Sequence, residues 1–184
     1  QYLRTSANGK INEAVKNVNK LLDQIVDLNT GIMSFTASQL STAELEDQRD
    51  KSLNSLAEIM DITYFEQSDG SFSVYSGSGQ TLVTKQKQTL SYVSPSTLNA
   101  SLEYTPTSAV NYSGPSNADY PVGGVPGIFA GEIAANSDIT ASIKSGSLKG
   151  LIDIRDHDLK AVQAQLDELT QQLKVELNKA HNKG

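Results

Sequence analysis

The chain has 184 residues, a formal net charge of −6, no cysteine or tryptophan, 38% hydrophobic residues and 6% aromatics. That balance disfavours a nucleic-acid face, which needs clustered Lys and Arg, and no run approaches the ~18 apolar residues of a membrane helix. Disulfides, thiolate nucleophiles and thiolate zinc sites are excluded by the missing cysteines, and an apolar content below the usual ~45–50% favours elongated helical layers over a round core.

From Lys10 to about Asn29, Ile11, Val15, Val18, Leu22, Ile25 and Asn29 recur at alternating steps of four and three, which aligns them on one helix stripe. Leu21, Val26 and Leu28 widen it. Asn8-Gly9 reads as an opening turn and Gly31 as a stop. A second helix is expected from about Ser41 to Met60. Ser41-Thr42-Ala43-Glu44 has the form of a capping box, and Leu45, Leu53, Leu56 and Met60 make the apolar face.

The period then falls to two. Ile62, Tyr64, Phe72 and Val74 flank Asp69-Gly70, a dipeptide that supplies positive φ in tight turns, so a hairpin is expected over 62–76. Leu82-Val83 suggests a third short strand, and Thr89 to Val93 can pair as well. Ser94 to Ala135 holds all five prolines with much Ser, Thr, Asn and Gly, and reads as a small β excursion or surface loop. Short strands are conceivable at Ser101–Thr105; none is assigned to Asn111–Gly131.

The last stretch, Leu148 to His181, is an unbroken helix former. Leu148, Ile152, Arg155, Leu159, Val162, Leu166, Leu169 and Leu173 form one long stripe in which Arg155 is the only charge. A stripe of this length needs an equally long cover, and the two earlier helices are available within the chain. The expected fold is therefore mainly α with a β excursion (α+β): an elongated antiparallel bundle of about three long helices plus a hairpin. Residues 1–93 and 136–184 form the core domain, with 94–135 as the excursion. Leu159, Leu166 and Leu173 are expected in the core, where truncating a leucine costs ~2–5 kcal/mol. Arg155 is expected as a buried or edge ionic tie.

No catalytic, cofactor or metal site is expected. Asp47, Arg49 and Asp50 cluster, but without a histidine or nucleophile to complete acid–base chemistry; the structural use is that Arg49 ties helices through carboxylates such as Asp153 or Asp156. Asp156-His157-Asp158 cannot chelate one ion from a regular helix, whose successive residues point about 100° apart. Gly77-Ser78-Gly79 lacks the lysine of a phosphate loop. Asn99 and Asn111 lie in short sequons that arise often by chance. Asn12, Asn19 and Asn29 lie in or beside the first seam, where Asn can fix register; solvent exposure competes evenly at Asn12 and Asn19, and Asn29 favours packing or capping.

In order along the chain, several segments resemble one family. Asp47-Gln48-Arg49-Asp50 resembles the LDQRD signature of the flagellar hook-associated protein 1 family, the hook–filament junction proteins, although Glu46 stands where the family more often carries Leu. Ile11-Asn12 through Gln24-Ile25 to Leu28-Asn29 is similar to its "IN…QI..LN" segment, and Gly79 to Val83 to its "G.TLV" turn. Gly146-Ser147-Leu148 with Arg155, then Asn178, His181 and Gly184, resemble "GSLGGLL..R" and "N..H..G". The resemblance implies a non-enzymatic, secreted, extracellular component of the bacterial flagellum without cofactors. Its implied partners are other copies in a junction ring, hook protein, neighbouring hook-associated or filament proteins, and an export chaperone for the full-length protein; nucleic acid and membrane are not among them. Family members carry further helices at both termini, so the chain is expected to be an internal piece and monomeric alone. The alternative is a surface binding module or adhesin that uses 94–135.

Overall fold

The computed structural model describes residues 2–93, 104, 125–134 and 136–182. Helix α1, Tyr2–Ala37, has 36 residues and is about 54 Å long at ~1.5 Å per residue. Arg4, Asn8, Ile11, Val15, Val18, Leu22, Ile25, Asn29 and Ile32 are buried along it, in steps of four and three. The expected stripe is thus present but extends further both ways. Asn8-Gly9 is not a turn and Gly31 is not a stop, because burying Asn8 and Ile32 in the same seam offsets the ~1 kcal/mol a glycine costs in a helix.

The helix ends instead at Gln39, whose φ is 56°. The Leu40 amide donates to Phe35 O (2.9 Å) and the Gln39 amide to Thr36 O (3.1 Å), the paired bonds of a Schellman cap. Helix α2 spans Ala43–Ile59. The expected capping box is absent: Thr42, at the N-cap, makes no side-chain bond to the backbone, and its hydroxyl donates to Glu46 Oε1 (2.6 Å).

Strands β1 (Ile62–Glu66) and β2 (Phe72–Ser76) form the expected antiparallel hairpin, with Ile62 opposite Ser76 and Glu66 opposite Phe72. Gly70 takes the positive φ (79°), and Asp69 Oδ1 accepts from the Ser71 amide and hydroxyl at 3.0 and 2.6 Å. Strand β3 (Thr81–Val83) adds to β2 after a bulge. β4 (Leu90–Tyr92) pairs antiparallel with β5 (Ile128–Ala130). β5 lies where no strand was expected: its three buried residues find their partner some forty positions upstream, which local periodicity cannot reveal. Most of 94–124, including both sequons, lies outside the described residues; Tyr104 makes an isolated parallel bridge to Val125.

A turn of 3-10 helix at Thr140–Ser142 leads to the final helical rod: α3 (Gly146–Asp153), a π turn (Ile154–Asp158) and α4 (Leu159–His181). Its contacts set α2 and α3 in succession along α1. Leu45 lies beside Gly31, the start of α3 presses on the end of α2, and Arg155 reaches Arg4. Gly146 permits the middle contact. Its φ is +85°, and a Cβ there would sit 2.4 Å from Ile59 O. The core joins Ile11–Ile25 of the α1 seam to Leu53, Leu56, Val74, Leu82, Leu90, Ile128, Leu148 and Ile152.

The mainly helical α+β class is as expected, but the cover of the last stripe is not. Leu148, Ile152 and Arg155 are buried and Leu159 is half-buried, whereas Leu166 and Leu173 are 54% and 60% exposed. Of the described part of α1, only its first residues lie beside α4, where Leu3 and Arg4 border its first turns. Truncating Leu166 therefore does not carry the cost of a core cavity.

Candidate assembly surface

Two buried arginines hold the ends of the α1 seam. Arg49, on α2, donates through Nη1 to Gly70 O (2.7 Å) and to Asn29 Oδ1 (3.5 Å), and its guanidinium lies 3.5 Å from the centre of the Phe72 ring. Its Nε has no hydrogen-bond partner among the described residues. Burial pulls the Arg49 pKa below its ordinary value, against the opposing pull of Asp50, Glu46 and Glu66. Asp47 and Asp50 stay exposed. Arg49 therefore ties α2 to α1 and the hairpin, not to the last helix: Asp153 is paired with Lys149, and Asp156 with Arg155.

Arg155 is fully buried in the π turn. Its Nε and Nη2 donate to the two oxygens of Asp156 at 2.8 and 2.7 Å, while Nη1 donates to Tyr92 Oη (3.0 Å) and Pro126 O (3.1 Å). Arg4 Nε donates to the Arg155 carbonyl (2.9 Å), and the Tyr92 hydroxyl donates to Asn8 Oδ1. Burial alone would lower the Arg155 pKa, but the bonds and charges of Asp156 and Tyr92 raise it above its ordinary value. In a regular helix Arg155 and Asp156 would point about 100° apart. The π turn, closed by the Leu159 amide on Ile154 O, takes in an extra residue and lets both face the same junction.

Between these nodes α1 grips both sheets with asparagines. Asn29 Nδ2 donates to Phe72 O (2.8 Å) while its Oδ1 accepts from Phe72 N (3.0 Å). Asn19 treats Leu90 identically, at 2.8 and 2.7 Å. Each amide serves the strand backbone as a neighbouring strand would. The sequence reading left Asn19 undecided, placed Asn8 in a turn, and did not single out Arg4 or Tyr92. Arg4 and Asn8 were nonetheless legible, since they continue the α1 steps upstream of Ile11.

Below the Arg155 node, α4 stands apart, and none of its 23 residues is buried. Val162, Leu166, Leu169, Leu173 and Leu177 are all at least half exposed along one side. At its base a groove of about 210 Å3 runs between Leu3, Arg4, Leu159, Val162 and Leu166. A more polar cavity of about 360 Å3 lies near Thr140, Lys149, Asp153 and His157, where Lys149 and Asp153 already pair. Among the described residues there is no cluster of three or more His, Cys, Asp or Glu able to hold a metal ion, and no helix long and apolar enough to cross a membrane. The geometry offers a rigid base and an apolar helix face that is exposed among the described residues.

The fold is similar to the solved structure of the flagellar hook junction protein FlgK from Burkholderia pseudomallei, with a TM-score of 0.57 and 24% identity. The match covers 84% of this chain and 24% of that one, so the chain spans about a quarter of its length. No curated protein sequence matches. The model of the flagellar hook-associated protein FlgK helical domain matches residues 1–184, and the chain belongs to that family.

Proposed function

We propose that this chain is the helical domain of a subunit that joins flagellar hook to filament, and that it works by packing against other subunits rather than by chemistry. The carrying observation is the uncovered face of α4, a row of exposed leucines on a helix whose root is pinned by the Arg155 node. Leucines on a monomer's surface stay solvated at a cost, and a contiguous row marks an interaction surface. In this reading, residues 1–93 and 136–184 form one domain, tied together by the end of the 94–135 segment. The subunit is secreted, lies outside the cell in the flagellum, and meets copies of itself, hook protein and neighbouring hook-associated or filament proteins, with an export chaperone serving the full-length protein.

The test is co-assembly. Full-length protein carrying Leu166→Glu and Leu173→Glu should be exported normally yet fail to form a junction on purified hooks, seen by electron microscopy as hooks without filaments. Normal junctions built from this variant would overturn the reading.

A further inference from the structure

We infer that Asn8-Gly9 is a deamidation site that folding closes, so that modification there marks chains that have spent time unfolded. The site does not rest on the flagellar reading, and its failure leaves that reading standing. Asn8-Gly9 is the one Asn-Gly pair in the 184 residues. Its sequence pattern is that of a turn, yet the structure seats it inside α1. Glycine has no conformational or steric role there. Its backbone is not in the left-handed region, and a Cβ at Gly9 would meet no heavy atom within 4 Å. Alanine would fit and would suit the helix better. What glycine changes at this position is chemistry: with no side chain, its amide nitrogen is the least shielded nucleophile that can follow an asparagine.

The reaction balances with water alone. In an unfolded chain the Gly9 nitrogen attacks Asn8 Cγ. A Cγ–N bond forms, the Cγ–Nδ2 bond breaks, and the Gly9 amide proton leaves with Nδ2 as ammonia. Water then opens the five-membered ring. Cleavage of the new Cγ–N bond gives aspartate. Cleavage between the nitrogen and the main-chain carbonyl carbon of Asn8 gives isoaspartate, whose chain runs through Cβ and Cγ.

Folding closes this route in three ways. In α1 the Gly9 amide is committed to the Thr5 carbonyl, and ring closure requires Asn8 to leave the helical ψ of about −42°. Asn8 is 1% exposed, which keeps out the hydrolytic water. Its Oδ1 accepts from the Tyr92 hydroxyl, which in turn accepts from Arg155 Nη1 (3.0 Å), so the carboxamide cannot swing toward Gly9 without breaking the node. The two products meet that node differently. Aspartate keeps the backbone and an acceptor for Tyr92. Isoaspartate adds a methylene to the main chain between Arg4 and Ile11, which puts the two out of phase on the helix. Arg4 then cannot reach the Arg155 carbonyl while Ile11 stays in the core.

The 184-residue chain is aged at one mildly alkaline pH, in native buffer and in unfolding guanidinium chloride. Peptide mass spectrometry follows Asn8, with electron-transfer fragmentation separating isoaspartate from aspartate. In guanidinium Asn8 should convert faster than every other asparagine. In buffer it should convert at least about tenfold more slowly, since attack then waits on local opening. Gly9→Ala should remove the fast conversion in guanidinium and keep the native circular dichroism, and Tyr92→Phe should speed conversion only in buffer. Equal rates in the two solvents, or an unfolded-chain rate at Asn8 no greater than at the other asparagines, overturns the inference. A Tyr92→Phe chain no faster in buffer than its parent overturns the part given to the node. Once guanidinium is removed, isoaspartyl chains should stay out of the protease-resistant fraction; their full return to it overturns the marking of unfolded chains.

Discussion

At Gln39 a side chain occupies a left-handed backbone position, φ 56°, that closes the Schellman cap of α1. A Cβ in that region costs about 1–2 kcal/mol, and glycine avoids the clash. Gln39→Gly should therefore stabilise the chain by about 1 kcal/mol, a rise of ~2–4 °C in melting temperature for a protein of this size. An unchanged or lower midpoint in calorimetry would show that the cap does not carry this strain. A second single-residue effect concerns pH. Burial pushes the Tyr92 hydroxyl from 10.0 to about 12, even though the charge and bond of Arg155 pull it down. The unfolded chain thus releases this proton near pH 10 while the folded chain keeps it until about 12. The associated stability is fully present below pH 10 and is lost as pH rises through about 12, at up to ~1.4 kcal/mol per pH unit. Tyr104 is also raised, chiefly by burial, and adds to the alkaline slope. Tyr92→Phe should flatten that slope without abolishing it, and should lower neutral-pH stability by ~1–3 kcal/mol because Asn8 and Arg155 lose a partner. Urea titrations at a series of pH values check both parts; an unchanged slope would mean Tyr92 titrates normally.

Among elements, the helices were the most legible because burial in them repeats every three to four residues. The α1 seam was readable from Ile11 to Asn29, and Arg4 and Asn8 obeyed the same rule although their polarity disguised it. Helix ends were less readable, since Gly9 and Gly31 carry a local breaking preference that tertiary burial overrides. The hairpin followed from Asp69-Gly70. Strand β5 did not, because its partner β4 is remote in sequence. The asparagine grips sit between these extremes: residue type and phase suggested a seam role, while the strand each amide holds depends on the assembled fold. Asn19→Ala should cost about 2–4 kcal/mol, since the N–H and C=O of Leu90 both lose their partner. Hydrogen exchange offers the direct check. The Leu90 amide should exchange markedly faster in the variant, and unchanged protection there would show that water or a neighbour replaces the grip.

For the whole molecule, the sequence stripe on the last helix told that it is a helix and which side is apolar, but not how far that side is covered. The Arg4 side chain reaches the carbonyl of Arg155, and among the described residues the four leucines and valine beyond Leu159 are exposed although their spacing matches the buried part of the stripe. Arg49 makes a similar point: its burial was foreseeable from its place between Leu45 and Leu53, yet its partners are a turn carbonyl, an asparagine and an aromatic ring instead of acids on a distant helix. The π turn has a mechanical meaning as well. It is a wrist: α4 leaves it as a lever of 23 residues, about 35 Å long at ~1.5 Å per residue. A swing of about 10° at the wrist would carry the far end some ~6 Å sideways, more than one turn of helix pitch. The bonds that clamp Arg155 to Asp156, Tyr92 and Pro126 therefore aim the lever, so the direction in which α4 points is set at its root.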